Sequence, residues 1–477
     1  MAESIRKQTV KGVFWSATER FSVQGSQFVV QIIMARILAP SDYGLVGMLA
    51  IFMAISQSII DSGFSTALVQ KKNRTETDFS TVFYFNIIVG LALYFVLFIC
   101  SPLIADFYDA PILKDLTRVI SLNLFIHSLS VVQRAKLTID VNFKTQAKAS
   151  MISVIISGCV GIWMAYQGYG VWSIAFQSVT NGFINTILLW IYSKWKPKKG
   201  FSRDSFIQLF SFGSKLLVAG ILDTIYNNLY SIIIGKKFSQ QSLGYFMRAD
   251  QFAQLPSSNI ANIISRVMFP IVSNIQDDNE RLRHIFLKYM KMSAFIVFPL
   301  MIGLAALAKP LIYTLLADKW VESILLLQII CFAYMWYPIH AINLNLLQVK
   351  GRSDLFLQLE LIKKTIGILI LFITTPKGVI CMCYGIVFLW IVGLAINTYY
   401  TKKIIQIGFF TQMKAILPVL FYALSMGGAI WLSTLPFDSN ILKLIIGTIT
   451  GIIYYLTISS VFGSKELKEV ILLIKKR

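Results

Sequence analysis

Apolar runs of about twenty residues recur along almost the whole chain, and no other feature limits its folding as much. A helix rises 1.5 Å per residue, so about twenty apolar residues cross the roughly 30 Å hydrocarbon layer of a bilayer. An apolar fraction of 56% over 477 residues excludes an ordinary soluble protein. A membrane β-barrel is excluded too, because barrel strands alternate over short segments and these runs do not. The pattern predicts an all-α polytopic membrane protein of about fourteen transmembrane helices. They are expected at 10–38, 44–68, 80–105, 113–133, 147–166, 169–193, 205–235, 243–270, 287–316, 322–347, 355–375, 378–400, 414–434 and 440–462. Ser464 to Arg477 follow as a tail with Leu467, Val470, Ile471 and Ile474 on one side, the pattern of an interfacial amphipathic helix.

The net charge of +21 would point to nucleic acid in a soluble chain. Here the lysines and arginines gather in short loops, so the positive-inside rule accounts for them and no nucleic-acid partner is expected. One side of the membrane collects them by about five to one over the other, which places both termini in the cytoplasm. Lys114, Arg118, Lys236 and Lys237 are then among the few on the outer side. The first apolar run is too long for a signal peptide and has no small-residue cleavage site, so it is expected to remain as the first span. Asn73-Arg74-Thr75 matches a glycosylation triplet but falls in a cytosolic loop.

No catalytic chemistry is indicated. The five cysteines form no CxxC pair and no histidine lies at ligand spacing, so neither a metal site nor a disulfide framework is expected. There is no Walker A string, no phosphate-binding glycine loop and no nucleophile–base set, so the chain reads as neither an ATPase nor any other enzyme, and no cofactor is expected.

A shift of 200 residues reveals an internal repeat. Arg36-Ile37-Leu38-Ala39-Pro40-Ser41-Asp42-Tyr43-Gly44 lines up with Lys236-Lys237-Phe238-Ser239-Gln240-Gln241-Ser242-Leu243-Gly244. Ser101-Pro102-Leu103-Ile104 in the third span is echoed by Lys309-Pro310-Leu311-Ile312 in the ninth. The basic stretch Ser193 to Gly200 would link the halves. Six spans per half is an even number, so both halves enter the membrane in the same sense, as two six-helix lobes related by a parallel repeat plus a C-terminal helix pair. The expected division is 1–198, 199–403 and 404–477.

The first span is not uniformly apolar. Ser16, Arg20, Gln24, Gln27 and Gln31 recur at three- and four-residue steps and share one helix face. An arginine at the centre of a membrane helix costs about 2.5–3.5 kcal/mol on insertion scales, so this stripe should face protein or water. In the second half Thr224, Asn227 and Ser231 fall on Gln24, Gln27 and Gln31, whereas Gly220 falls on Arg20. The second span of each half is polar as well, with Ser58, Asp61 and Ser65 in one and Gln251, Gln254, Ser258, Asn262 and Arg266 in the other. Spans one, two, seven and eight are therefore candidates to line a polar cleft. Its substrate-binding residues would be Arg20, Gln24, Gln27, Gln31, Asn227, Gln254, Asn262 and Arg266. Lys215 and Arg248 are candidates for further charge contacts, and Asp223 or Glu19 for a coupling-ion site. The alternatives are a stripe that only joins two helices and charges that form structural ion pairs or snorkel near helix ends. His127 and His340, each in the fourth span of its half, read as hydrogen-bonded packing.

Three strings carry a family resemblance: RILAPSDYGLVGM after span one, DSGFSTALVQKK closing span two, and IIIGKKFSQQSLGYFMRADQFAQLP at spans seven and eight. Through these, and over roughly Ser4 to Phe462, the chain resembles the Wzx-type polysaccharide flippases, in the colanic acid and teichuronic acid exporter branch of the multidrug/oligosaccharidyl-lipid/polysaccharide exporter superfamily. The resemblance implies twelve core helices in two lobes, an additional helix pair, and a cationic cavity. It also implies transport of an undecaprenyl-pyrophosphate-linked oligosaccharide across the bacterial inner membrane for lipopolysaccharide, capsule or exopolysaccharide synthesis. Polysaccharide polymerase and chain-length machinery are the implied partners. Two departures stand out: Arg20 is unmatched in the second half, and acidic residues are almost as numerous as basic ones within the spans. Competing readings are a cation-coupled drug exporter of the same superfamily, which needs an acidic cavity, and a polysaccharide polymerase, which needs a large outer loop where none here exceeds about a dozen residues. A scaffold for glycan assembly is a third, and would tolerate loss of Arg20.

Overall fold

The computed structural model describes residues 22–61, 64–71, 73–198, 200–464 and 466–468, and every regular element among them is helical. The helices are α1 (22–37), α2 (Pro40–Asp61), α3 (Phe64–Gln70), α4 (Glu76–Phe107), α5 (Ile112–Ile120), α6 (Leu122–Ser128), α7 (Val131–Ile139), α8 (Phe143–Tyr166), α9 (Val171–Ser193) and α10 (Arg203–Lys237). There follow α11 (Gln240–Ser273), α12 (Asn279–Ala306), α13 (Ala308–Leu316), α14 (Ser323–Tyr334), α15 (Tyr337–Val349), α16 (Ser353–Thr374), α17 (Val379–Ile405), α18 (Phe409–Thr434) and α19 (Asn440–Val461).

Among the described residues nine helices, one of them the α14–α15 stretch, are long and apolar enough to cross a membrane, and a bent pair makes ten. The chain is thus a multi-pass helical membrane protein, as its apolar runs predict. The 35-residue α10 and 34-residue α11 stand outside that set, because they carry the polar residues noted above. The expected tail at 464–477 lies almost wholly outside the described residues, as do Arg20 and Glu19.

Local chemistry sets the helix ends. Thr75 caps α4 with its hydroxyl toward Asp78 N at 3.3 Å, while its own N–H donates to Asp78 Oδ2 at 2.8 Å, a complete capping box. Asn142, Ser202 and Asp278 cap α8, α10 and α12 in the same manner. The expected fourth span is broken instead of straight, with a 42° bend between Ile112–Ser128 and Val131–Ile139. Serines explain it: the hydroxyls of Ser121, Ser128 and Ser130 donate back to the carbonyls of Arg118, Phe125 and His127 and compete with the helix ladder. The 200-residue register reappears in the backbone. Helix α1 ends at 37 and α10 at Lys237; α2 begins at Pro40 and α11 at Gln240.

Two compact units divide at Gly244 and Tyr245. Helix α10, the first span of the second repeat, therefore packs within the first unit, and the packing boundary differs from the repeat boundary at 198. Phe206 lies 5.1 Å from Phe85 and 5.9 Å from Phe64 between ring centroids, and Phe210 lies 6.0 Å from Phe64. Farther along α10, Thr224 Oγ1 meets Ser58 Oγ on α2 at 3.1 Å. In the same unit, Gly158 on α8 receives Val30 of α1, whose Cγ2 would lie 2.6 Å from a Cβ at that position. Met34, Leu38 and Ala165 form the core there.

The stretch after α9 is not a free linker. Trp195 is 2% exposed, packs with Phe79, Phe83, Val132 and Leu209, and donates from Nε1 to Glu76 Oε2 at 2.9 Å. Lys71 adds an ion pair to buried Asp78 at 2.9 Å and a hydrogen bond to Gln208 of α10 at 2.9 Å.

The second unit is built on α12, against which α18, α14 and α15 pack, with α17 bridging to α16 and α19 covering α13 and α18. Its centre holds a dry amide pair: Asn343 and Gln412 each donate to the other's carbonyl oxygen at 3.0 Å, and Thr401 donates to Asn343 at 2.7 Å. Asn397 Nδ2 donates to His340 Nδ1 at 2.9 Å, which leaves Nε2–H to donate to Trp390 O at 3.0 Å.

Truncating Trp195 to alanine should destabilise the first unit by about 3–5 kcal/mol, the usual cost of a buried tryptophan. Trp195→Phe should recover most of the packing and lose only the Glu76 bond, about 1 kcal/mol. Unfolding midpoints of the purified full-length variants in detergent check both; equal loss in the two would contradict the packing argument.

Candidate functional site

The candidate residues divide into one group per unit. In the first unit α1 presents Gln24, Gln27 and Gln31 along one face, with Gln27 exposed and the other two half-buried. Arg20, one turn earlier, lies outside the described residues, as does Glu19. Helix α10 presents Asp223 and Asn227, both exposed and one turn apart, with Asn227 Nδ2 donating to Asp223 Oδ2 at 3.3 Å. Lys215 belongs to α10, but its side chain is outside those described.

A polar set that the spacing only half reveals sits on α2. Gln57 Nε2 donates to Asp61 Oδ2 at 3.2 Å and to His127 Nδ1 of α6 at 2.9 Å. Asp61, Ser58 and His127 stand out in the sequence; Gln57 does not, although it lies one turn before Asp61. The set couples a carboxylate to the bent fourth span through one amide.

In the second unit Gln254, Asn262 and Arg266 are all exposed on α11. Among the described residues no hydrogen bond or ion pair is made by any of the three. Arg266 lies 26 residues into a helix that starts at Gln240, roughly 39 Å along it, so it sits near the opposite end from the α10–α11 turn. Arg248 differs. It is 5% exposed, donates from Nη1 to Gln251 Oε1 at 2.7 Å and places its guanidinium 5.4 Å from the Trp320 ring. A desolvated cation over an indole is a packing element, and Arg248 is held there instead of being open to a ligand. Asp250 accepts from Tyr334 Oη at 3.0 Å, another contact internal to its unit.

Chemically, each unit presents exposed neutral amides, and α11 of the second unit adds the exposed guanidinium of Arg266. Amides donate and accept at once, which suits sugar hydroxyls, while a guanidinium suits phosphate oxygens. No group of three or more metal-ligating side chains occurs among the described residues.

The family described as "Polysaccharide biosynthesis protein" matches residues 33–325, more than half of the chain. The chain belongs to that family. It is 27% identical over 359 residues to the teichuronic acid biosynthesis protein TuaB of Bacillus subtilis, covering 74% of this chain and 73% of the relative. It is 25% identical over 370 residues to the lipopolysaccharide biosynthesis protein WzxC of Escherichia coli, covering 76% and 74%. Its fold is similar to that of the lipid II flippase MurJ in an inward closed conformation, with a TM-score of 0.79, 19% identity, and 94% and 98% of the two chains covered. An inward-facing multidrug resistance MATE family transporter of the MOP superfamily follows at a TM-score of 0.62, 14% identity, and 80% and 96% coverage. The polysaccharide biosynthesis family and an all-helical transporter fold are therefore both in hand, and both agree with the resemblance carried by the three sequence strings.

If the amide faces are wet, cysteines placed at Gln27 and Gln254 should react with a membrane-impermeant maleimide. A cysteine at Val29, which is 56% exposed but about 200° around α1 from Gln27, should stay unreactive in lipid. Labelling in membranes, with the five native cysteines replaced, reads the difference. Equal reactivity of positions 27 and 29 would show that the face is not a separate aqueous surface.

Proposed function

We propose that this protein is a flippase that moves an undecaprenyl-pyrophosphate-linked oligosaccharide across the bacterial inner membrane, with both termini cytoplasmic and fourteen spans in all. The observation that carries the reading is membership of the polysaccharide biosynthesis family, in a chain whose first unit exposes the amides of Gln27 and Asn227 and whose second unit exposes Gln254, Asn262 and Arg266. A long sugar head group cannot enter hydrocarbon, whereas its polyprenyl tail can stay there. The protein therefore has to shelter only the head. Gln24, Gln27, Gln31, Asn227, Gln254 and Asn262 would bond its hydroxyls as they become dehydrated, and Arg20 and Arg266 would offset the pyrophosphate.

Transport alternates between states open to one side and to the other. The diphosphate carries about two negative charges, and outward movement runs downhill in an inside-negative potential. At about 2.3 kcal/mol per charge per 100 mV, the potential supplies roughly 4–5 kcal/mol. Coupling to a proton or sodium ion is therefore not required, and if it occurs Asp223 and Glu19 are the candidate carriers. A polymerase and a chain-length protein would take over the flipped unit outside.

Deleting the gene should leave the lipid-linked repeat unit trapped in the inner leaflet, and the wild-type gene should release it. Arg266→Ala should slow flux about tenfold, the consequence of losing one charge-assisted contact of about 1.5 kcal/mol, with Arg266→Lys retaining more. The assay is the inner-to-outer ratio of radiolabelled lipid-linked glycan. No accumulation on deletion would overturn the reading, and flux indifferent to collapse of the potential would overturn the proposed driving force.

A further inference from the structure

The turn from α1 into α2 and the turn from α10 into α11 repeat each other at 200 residues, and within the first unit they touch reciprocally. A Cβ on Gly44 would run into the carbonyl oxygen of Gln240, with Gln240 Cα only 3.0 Å away. A Cβ on Gly244 would run into the carbonyl oxygen of Pro40, with Pro40 Cα 3.3 Å away. The two contacts are one contact written twice, because 44 and 244, and 40 and 240, are equivalent positions of the repeat.

Neither carbonyl can step aside. In an α-helix the carbonyl of residue i accepts from the N–H of residue i+4, so the Pro40 and Gln240 carbonyls are held by Gly44 and Gly244 themselves. Each glycine thus fixes the carbonyl of its own helix and leaves room for that of the other. Small residues permit such backbone approach between membrane helices, and Cα–H groups facing carbonyl oxygens add weak hydrogen bonds. A third glycine lets the same region close: a Cβ at Gly235 would lie 3.1 Å from Met48 Cγ and 3.2 Å from Tyr108 Cε1. Beside it Lys236 pairs with Asp109 at 2.7 Å, and both line a cavity of about 420 Å³ that also reaches Ser41, Tyr108 and Gln240. The loop charges place this end on the outer side of the membrane.

We propose that the reciprocal Gly44–Gln240 and Gly244–Pro40 contact is the latch that closes the outer end of the transport path, and that it parts once in every cycle. The proposal rests on the alternating-access reading above. A latch made from backbone against backbone has no side chain to reorient, so it is either closed or apart. It also has no room for substitution on either side.

The test uses the full-length protein in membranes, with native cysteines replaced and cysteines placed at Asp109 and Lys236. A short, cleavable bifunctional thiol reagent should join them rapidly, stop glycan flux, and restore it when cleaved. Gly44→Leu and Gly244→Leu should each slow the joining by about tenfold or more, since 1.4 kcal/mol of overpacking is tenfold in the closed-to-open ratio. Gly44→Ala and Gly244→Ala should act in the same direction, and the double variant should add little, because one interface is removed either way. Monodisperse protein with an unchanged unfolding midpoint establishes that a variant is folded; where leucine prevents folding, the alanine pair and the cross-linked native-glycine protein decide. Unchanged joining in folded variants, opposite effects of the two glycines, or flux undiminished by the cross-link would each overturn the latch. Failure of the flippase reading looks different: deletion would trap no lipid-linked glycan while the joining rates still differed.

Discussion

Hydrocarbon offers no partner for a backbone N–H or C=O, and this constraint organises the whole molecule. Every described element is a helix because a helix satisfies its own peptide groups within one segment. Where the ladder is interrupted, a side chain or a cap takes over, as the serine hydroxyls do around the 42° bend and as the Thr75–Asp78 box does at the head of α4. The same rule applies to side chains. A polar group within a span must find a partner inside the protein or reach water.

The structure sorts its polar residues by which of these they do. Asn343, Gln412 and Thr401 satisfy one another in the dry centre of the second unit, and His340 is held between Asn397 and Trp390. Arg248 is buried against Gln251 and Trp320. These contacts are structural and internal to the second unit. Gln27, Gln254, Asn262 and Arg266 instead stand exposed on their helices. Satisfaction inside the protein, not polarity as such, separates the buried polar residues from those left exposed.

Much of this was legible in the residues. Runs of twenty apolar side chains located most of the helices, and the 200-residue repeat lined up the stretches in which 37 and Lys237, and Pro40 and Gln240, prove to be equivalent helix ends. Periodicity gave the face on which Gln24, Gln27 and Gln31 lie but not what that face meets, because a helical wheel has no neighbours. For the same reason the sequence offered Arg266 as a binding residue and Arg248 as a further charge contact, although Arg248 is packed beside an indole ring and only Arg266 is exposed. Trp195 read as part of a basic linker because its burial depends on Phe79, Phe83 and Leu209 arriving from other helices. The Asn343–Gln412 pair joins residues 69 apart and leaves no local signature. Residues 1–21, with Arg20 and Glu19, fall outside the described structure, so the inner end of the stripe is known from the chain alone.

Helix α10 carries a consequence for how such chains diversify. It begins the second half of the 200-residue repeat read from the sequence, yet its Phe206 and Phe210 lie among Phe64 and Phe85, and its Thr224 bonds to Ser58. Recombination between relatives at residue 198 would part those rings from their complementary surface, even though it respects the boundary of the sequence repeat. A crossover beyond Gly244 would hand over a self-consistent block. Modularity in this protein accordingly follows physical contact, and hybrids assembled along the repeat boundary would inherit mismatched halves of one hydrophobic core.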